Sequence, residues 1–265
     1  MSQSTFATHE RQLFSFPFHV MNHIYANATP NLWKKLNQTC KYFFARFKIL
    51  IIDDLKISYA PICANGYSII IPPEHKFVEK MENVWLTKSL SLQNYSTPEY
   101  YDILMKKLQK WDIEKLEVGG DLKVEIFNKL TKYGNIQHLT ISSVGEVEGN
   151  LMPVEDILLK VPYANRITIH VTHVTTQTSQ KLASLLRCKK LAVFQLIRID
   201  GLLDVNLFYQ FLTRNMAPRG TVRIDYTNDP LKENTIEFRR SLKEKMRLWY
   251  PQDQQPHIVK FYWLF

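Results

Sequence analysis

KLEVGGDLKVEIFNKLTKYGNIQHLTIS, residues 115–142, holds a short apolar-polar-apolar run, Leu116-Glu117-Val118, an amphipathic stretch, and a second run of the same form, Leu139-Thr140-Ile141. Alternation with a period of two predicts strands whose outer residues face a core while Glu117 and Thr140 face outward. Between them Leu122, Ile126, Leu130 and Tyr133 recur at helical spacing, which predicts a helix with one apolar stripe. A strand, a helix and a strand in so short a span form one unit of an α/β architecture with parallel strands.

The unit recurs on both sides. Further strand cores are Leu90-Ser91-Leu92, Ile167-Thr168-Ile169, Phe194-Gln195-Leu196, Val222-Arg223-Ile224 and Val259-Lys260-Phe261, and first positions across the series lie 26, 23, 28, 27, 28 and 37 residues apart. Helical stretches fall between them: Thr97 to Trp111 with Tyr101, Leu104, Leu108 and Trp111 in step, then Pro153 to Leu159, Ser179 to Leu186, Asp204 to Asn215 and Lys232 to Trp249. This rhythm is similar to that of a leucine-rich-repeat solenoid, which implies a parallel sheet on one face and a row of helices on the other. An ordinary α/β domain with a parallel sheet fits the same alternation. Where a regular repeat places Asn, this chain has Asp121, Val144 and Thr172, so an irregular arc is expected.

Upstream, residues 49–83 read as a β-rich connecting segment. Ile49 to Ile52 and Leu55 to Ser58 are two short extended runs, with Asp53-Asp54 read as a turn between them. Asn65-Gly66 predicts a tight hairpin turn, and Pro72-Pro73 closes the segment. Before it, Pro17 suits a first helical turn, followed by Val20, Met21, Ile24 and Tyr25 at helical spacing. Pro30 restarts the chain, and Leu32, Leu36, Cys40, Phe43 and Phe47 form a second stripe flanked by Trp33 and Phe44.

Composition narrows the function classes. The 265 residues are 45% hydrophobic and 22% charged, values of a folded rather than a disordered chain. The opening MSQSTFATHERQ has no basic-then-apolar run, and Ile49 to Ile52 is bounded by Lys48 and Asp53-Asp54, so an intracellular protein, cytoplasmic or nuclear, without a membrane span is expected. Three widely spaced cysteines, Cys40, Cys63 and Cys188, make neither a disulfide framework nor a zinc pattern. The formal net charge is +9, but the basic residues are scattered among acids; Lys232 to Arg247 holds six basic and three acidic side chains. That mixture speaks against a nucleic-acid face, since net charge by itself reports solubility and non-specific attraction.

Phe16-Pro17, then Val20 and Ile24, then Leu36 and Cys40-Lys41-Tyr42-Phe43-Phe44, resembles an F-box, in which apolar residues follow the proline by three and seven positions and a later Cys-Lys leads into aromatics. The form NATPNLWKKLNQTCKYFFA, residues 27–45, looks like the divergent version in large nematode families of F-box proteins with degenerate leucine-rich repeats. The chain departs from the pattern with Phe16 in place of leucine and with Phe18-His19 where an acidic residue is common. The resemblance implies an F-box-like helical module over 13–48, the connecting segment 49–83 and a degenerate leucine-rich-repeat-like region over 84–265. It also implies a substrate-recognition subunit of a Skp–cullin–F-box type ubiquitin ligase. Phe16, Pro17, Val20, Ile24, Leu32, Leu36 and Phe43 would meet a Skp-type adaptor and through it a cullin, and the repeats would hold an unidentified protein target. The same residues could instead cap the first repeat.

No pattern for catalysis stands out. His19 and His23 are four apart on a predicted helix without the intervening Glu or third ligand of a zinc site. His170 and His173 fall on opposite sides of a strand and its end. Cys188 beside Lys189-Lys190 lacks a His–acid partner, and the eight glycines form no phosphate loop or nucleophile elbow. A non-enzymatic protein without cofactor or metal is therefore expected. The outward residues Glu117, Thr140, Thr168, Gln195, Arg223 and Lys260, with Arg198 beside them, are the candidate partner-binding face, and their drift from acidic to basic suggests an acidic partner element near the C-terminal repeats. The alternative is a stand-alone repeat scaffold that binds RNA or an acidic protein through Arg223, Arg239, Arg240 and Lys243.

Overall fold

The structure, a computed structural model, describes residues 17–39, 48–72, 76–93, 98–145, 149–226 and 232–259. The chain divides into two compact units, Met1–Lys48 and Ile49–Phe265.

In the first unit two helices are described, α1 (Phe18–Asn27) and α2 (Pro30–Thr39). Pro17 is the residue before α1, one position earlier than the sequence reading placed it. Pro30 does open α2, where a missing N–H costs nothing, and the Thr29 hydroxyl accepts from the Leu32 amide at 3.3 Å. Phe43, Cys40 and Phe47 lie outside the described residues, as does Phe16.

The second unit is a mixed α/β body on one 11-stranded sheet. In chain order its elements are β1 (Leu50–Ile57), β2 (Cys63–Asn65), β3 (Ser68–Ile71), α3 (Lys76–Lys80), β4 (Val84–Leu92), α4 (Pro98–Lys107), β5 (Leu108–Trp111) and β6 (Lys115–Lys123). There follow α5 (Val124–Thr131), β7 (His138–Gly145), α6 (Val154–Lys160), β8 (Arg166–Ile169), α7 (Thr178–Ser184), β9 (Leu191–Ile199), α8 (Val205–Asn215), β10 (Met216–Tyr226), α9 (Lys232–Arg247) and β11 (His257–Ile258). The spatial order is β11-β10-β9-β8-β7-β6-β4-β1-β3-β2, with β5 alongside β4; among the described residues these strands pair in parallel except in the β2–β3 hairpin. From β6 to β11 each strand is laid beside its predecessor, while β5 and β6 share the same edge of β4. Right-handed crossovers that always step the same way place their helices on one face, and α6, α7, α8 and α9 each touch the next.

Burial explains why the strand cores hold. The flanking residues of six cores, Leu90 and Leu92 through Val222 and Ile224, are at most 2% exposed. Each contributes roughly 1.5–3 kcal/mol by leaving water. Phe194, Phe208 and Phe211 join β9 to α8 with ring centroids 5.3–6.5 Å apart. Asp204 caps α8, its carboxylate accepting from the Asn206 and Leu207 amides at 2.9 Å.

Several local expectations are corrected. Asp53 and Asp54 are not a turn but the middle of β1, which runs through them with a register shift. Their charge is absorbed there: Asp53 accepts from the Thr87 hydroxyl at 2.5 Å and meets Lys88 at 3.0 Å, while Asp54 accepts from Ser68 at 2.7 Å and Ser89 at 2.6 Å. The hairpin turn is Gly66-Tyr67, one residue later than read, with Gly66 at φ +60° in the first turn position. Leu108 and Trp111 belong to strand β5, not to a helix through Trp111, and Leu122 is the penultimate residue of strand β6. The reason is that nine-residue β4 needs partners along its whole edge: β5 pairs with Val84 to Leu86 and β6 with Ser89 to Leu92. The last strand among the described residues is His257–Ile258, with Val259 just beyond it, and Lys260 and Phe261 fall outside the described residues. Segment 49–83 is continuous with the sheet, since β1 lies between β3 and β4.

Candidate functional site

The outward residues of the strand cores stand in one line across the sheet. Lys56 is paired with Ser91, Ser91 with Glu117, Glu117 with Thr140, Thr140 with Thr168, Thr168 with Gln195, and Gln195 with Arg223. All seven are partly exposed, while their neighbours on either side along each strand are buried. The parallel register follows from the apolar pattern, because a slip by one residue would turn every buried side chain to water.

A groove of about 300 Å³ opens where this line meets the carboxyl ends of the strands. Ser91 from β4 and Gln93 just after it, Glu117 and Gly119 from β6, Thr140 and Ser142 from β7, His170 after β8 and Arg198 from β9 line it. Thus Glu117, Thr140 and Arg198 of the sequence-derived face come together, whereas Thr168, Gln195 and Arg223 continue the row without lining the groove. Sequence reasoning missed Ser142 and His170. The signal was present: each lies two residues beyond an outward position, so carrying the alternation one step further reaches them.

The charges are unevenly distributed. Glu117 pairs with Lys115 two residues before it at 2.8 Å, an exposed contact of small worth. Arg223 is held by Asp225 at 2.6 Å, so the basic end expected there is largely neutralised. Arg198, at φ +50° in the left-handed region, swings over the end of β8, and its Nε donates to the His170 carbonyl at 3.0 Å. Burial, then the charges of Arg198 and Arg223, hold the His170 imidazole below its ordinary 6.5. At neutral pH it is uncharged.

On the helical unit, Pro17 and Leu32 are exposed, Val20, Ile24 and Leu36 are half-buried, and Phe18 is 72% exposed. Among the described residues there the buried side chains are Met21, Ala28 and Trp33, so the buried side of α2 holds Trp33 rather than Leu32. His19 and His23 are both exposed on α1, and the His23 carbonyl accepts from Asn27 Nδ2 at 2.9 Å. His173 pairs with Asp200 at 2.6 Å. Cys63 and Cys188 are exposed free thiols. Among the described residues no group of three or more His, Cys, Asp or Glu could hold a metal, and no helix is long and apolar enough to cross a membrane.

Comparison with protein-family models, curated proteins and solved structures gives no match.

Proposed function

We propose that this chain is a non-enzymatic substrate-recognition subunit of a Skp–cullin–F-box type ubiquitin ligase. In this reading residues 13–48 are a divergent F-box-like module that docks a Skp-type adaptor, and residues 84–265 are an irregular leucine-rich-repeat-like solenoid that holds the target protein. The observation that carries it is the division of the chain into a small helical unit and a large parallel-sheet unit, at the boundary where the F-box resemblance ends. Two further features support it. Pro17 and Leu32, both among the expected adaptor-facing residues, are exposed on the helical unit, as is the apolar Phe18 that follows Pro17 in the chain, and exposed apolar side chains of this kind suit a docking surface. Strands laid down in chain order also present an unbroken polar row, which suits binding an extended partner.

The alternative, an RNA-binding scaffold, draws support from Arg240 and Lys243, exposed three residues apart on α9; exposed Glu237 and Glu244 on the same helix weaken it.

The test is co-purification with the Skp-type adaptor of the full-length chain, of a chain lacking residues 1–48, and of the full-length Pro17→Ala/Val20→Asp variant. Recovery of the unaltered full-length chain alone is expected. Equal recovery of all three, or of none from soluble protein, would overturn the adaptor role. For the RNA reading, a salt-dependent affinity lost on replacing Arg240 and Lys243 would be required.

A further inference from the structure

We propose that the groove at the carboxyl ends of β4, β6, β7, β8 and β9 binds an extended acidic segment of a protein partner, with an aspartate or glutamate side chain held between Arg198 and His170. This deepens the reading of the sheet as the target-binding surface and does not depend on adaptor docking. It also moves the acidic contact away from Arg223, which Asp225 already occupies.

Arg198 is the one cation among the side chains that line the groove. Its Nε is committed to the His170 carbonyl, which fixes the plane of the guanidinium, while both terminal nitrogens lack a partner among the described residues. A fork fixed in this way is the geometry that takes a carboxylate through two parallel hydrogen bonds. His170 stands beside it with neither ring nitrogen hydrogen-bonded among the described residues, so an uncharged imidazole offers one further N–H donor. The hydroxyls of Ser91, Thr140 and Ser142 line the same groove without hydrogen-bond partners among the described residues and can serve a peptide backbone as donors or acceptors.

Size and sign select the occupant. From β4 to β9 the groove crosses four inter-strand steps, about 19 Å at the usual spacing, the length of about six extended residues. Glu117 lies three steps from Arg198 across the sheet, roughly 14 Å before the offset along the strands is added, so the acidic side chain belongs at the Arg198 end and is repelled from the other. A nucleic acid would need several cations along the backbone path, whereas here Arg198 is accompanied by a carboxylate. An acidic peptide fits that charge pattern better.

The experiment uses the full-length chain and three fluorescein-labelled hexapeptide pools, random except for a central residue fixed as Glu, Gln or Lys, with a single-stranded RNA of twelve nucleotides as a fourth probe. By fluorescence anisotropy the Glu pool is expected to bind at least tenfold more tightly than the Gln and Lys pools and the RNA. Arg198→Ala is expected to erase that preference, Arg198→Lys to keep part of it, and His170→Gln to weaken it severalfold. Arg198→Gln replaces the alanine variant if circular dichroism shows the latter misfolded. Equal binding of the pools, a preference that survives loss of Arg198, or tighter binding of the RNA would overturn the proposal. A failure here with intact adaptor recovery leaves the ligase reading standing, and the reverse outcome leaves the groove standing.

Discussion

Arg187 lies between α7 and β9, and its side chain is turned inward. Its guanidinium donates to the carbonyl of Leu158 at 3.1 Å, of Val161 at 2.7 Å and of Ala164 at 2.8 Å. Those carbonyls belong to the last turn of α6 and the loop after it, where helix geometry leaves acceptor capacity spare; the Leu158 and Val161 carbonyls also accept the backbone amides of Val161 and Ala164. Burial pushes Arg187 down to about 10, which still leaves it charged at neutral pH. Arg187→Met keeps the apolar stem but removes the guanidinium from all three carbonyls, of which those of Leu158 and Val161 keep the backbone amides of Val161 at 3.3 Å and Ala164 at 3.1 Å, and a loss of about 2 kcal/mol is expected in urea unfolding. A change under 1 kcal/mol would show that water replaces the guanidinium.

Two histidines give the fold a direction of pH response. His170 is lowered by burial and by Arg198 and Arg223; His138 is lowered by burial and by Arg166, Lys115 and Lys189, with Glu114 opposing. Both folded values lie below 6.5, so the unfolded chain binds protons that the folded chain refuses. Their contribution is therefore complete above that value and falls away as pH drops through it. Thermal melts between pH 7.5 and 5.5 are expected to show a falling Tm, with a shallower fall in the His138→Gln/His170→Gln protein. An unchanged slope would mean that other groups carry the acid response.

At the scale of elements, what was legible in the sequence depended on where the partners of each residue lie. The six strand cores through Ile224 were legible because alternation is local and both flanking residues are buried. Helix α8 was legible from Asp204 and a clean apolar stripe. The end of α4 was not, because Leu108 and Trp111 continue the helical spacing of Tyr101 and Leu104. Only the unpaired edge of β4, more than twenty residues away, draws them into β5. Asp53 and Asp54 failed for a similar reason. Two adjacent acids signal a turn unless hydroxyls await them, and Ser68, Thr87 and Ser89 lie 14 to 35 residues further on. The groove was half legible: Glu117, Thr140 and Arg198 were found from the pattern, while His170 needed the alternation carried past the last buried residue.

Across the whole second unit, the order of the strands in space follows the order of the chain from β6 to β11, so each strand gains its backbone partners from its nearest neighbours. Stability in such an arrangement is expected to be a sum of local terms and nearest-neighbour couplings, and damage at one end need not reach the other. Ile224, fully buried in β10, is a suitable probe. Its replacement in Ile224→Ala removes core contacts worth roughly 2–5 kcal/mol. Native-state hydrogen exchange of this variant should lose protection first in β9 and β10 and in α8 and α9, which pack beside them, then in β8, with β1 and β4 close to the parent protein. Uniform loss across all strands would instead mean that the sheet unfolds as a single cooperative body, and the chain-order topology would then have no energetic counterpart.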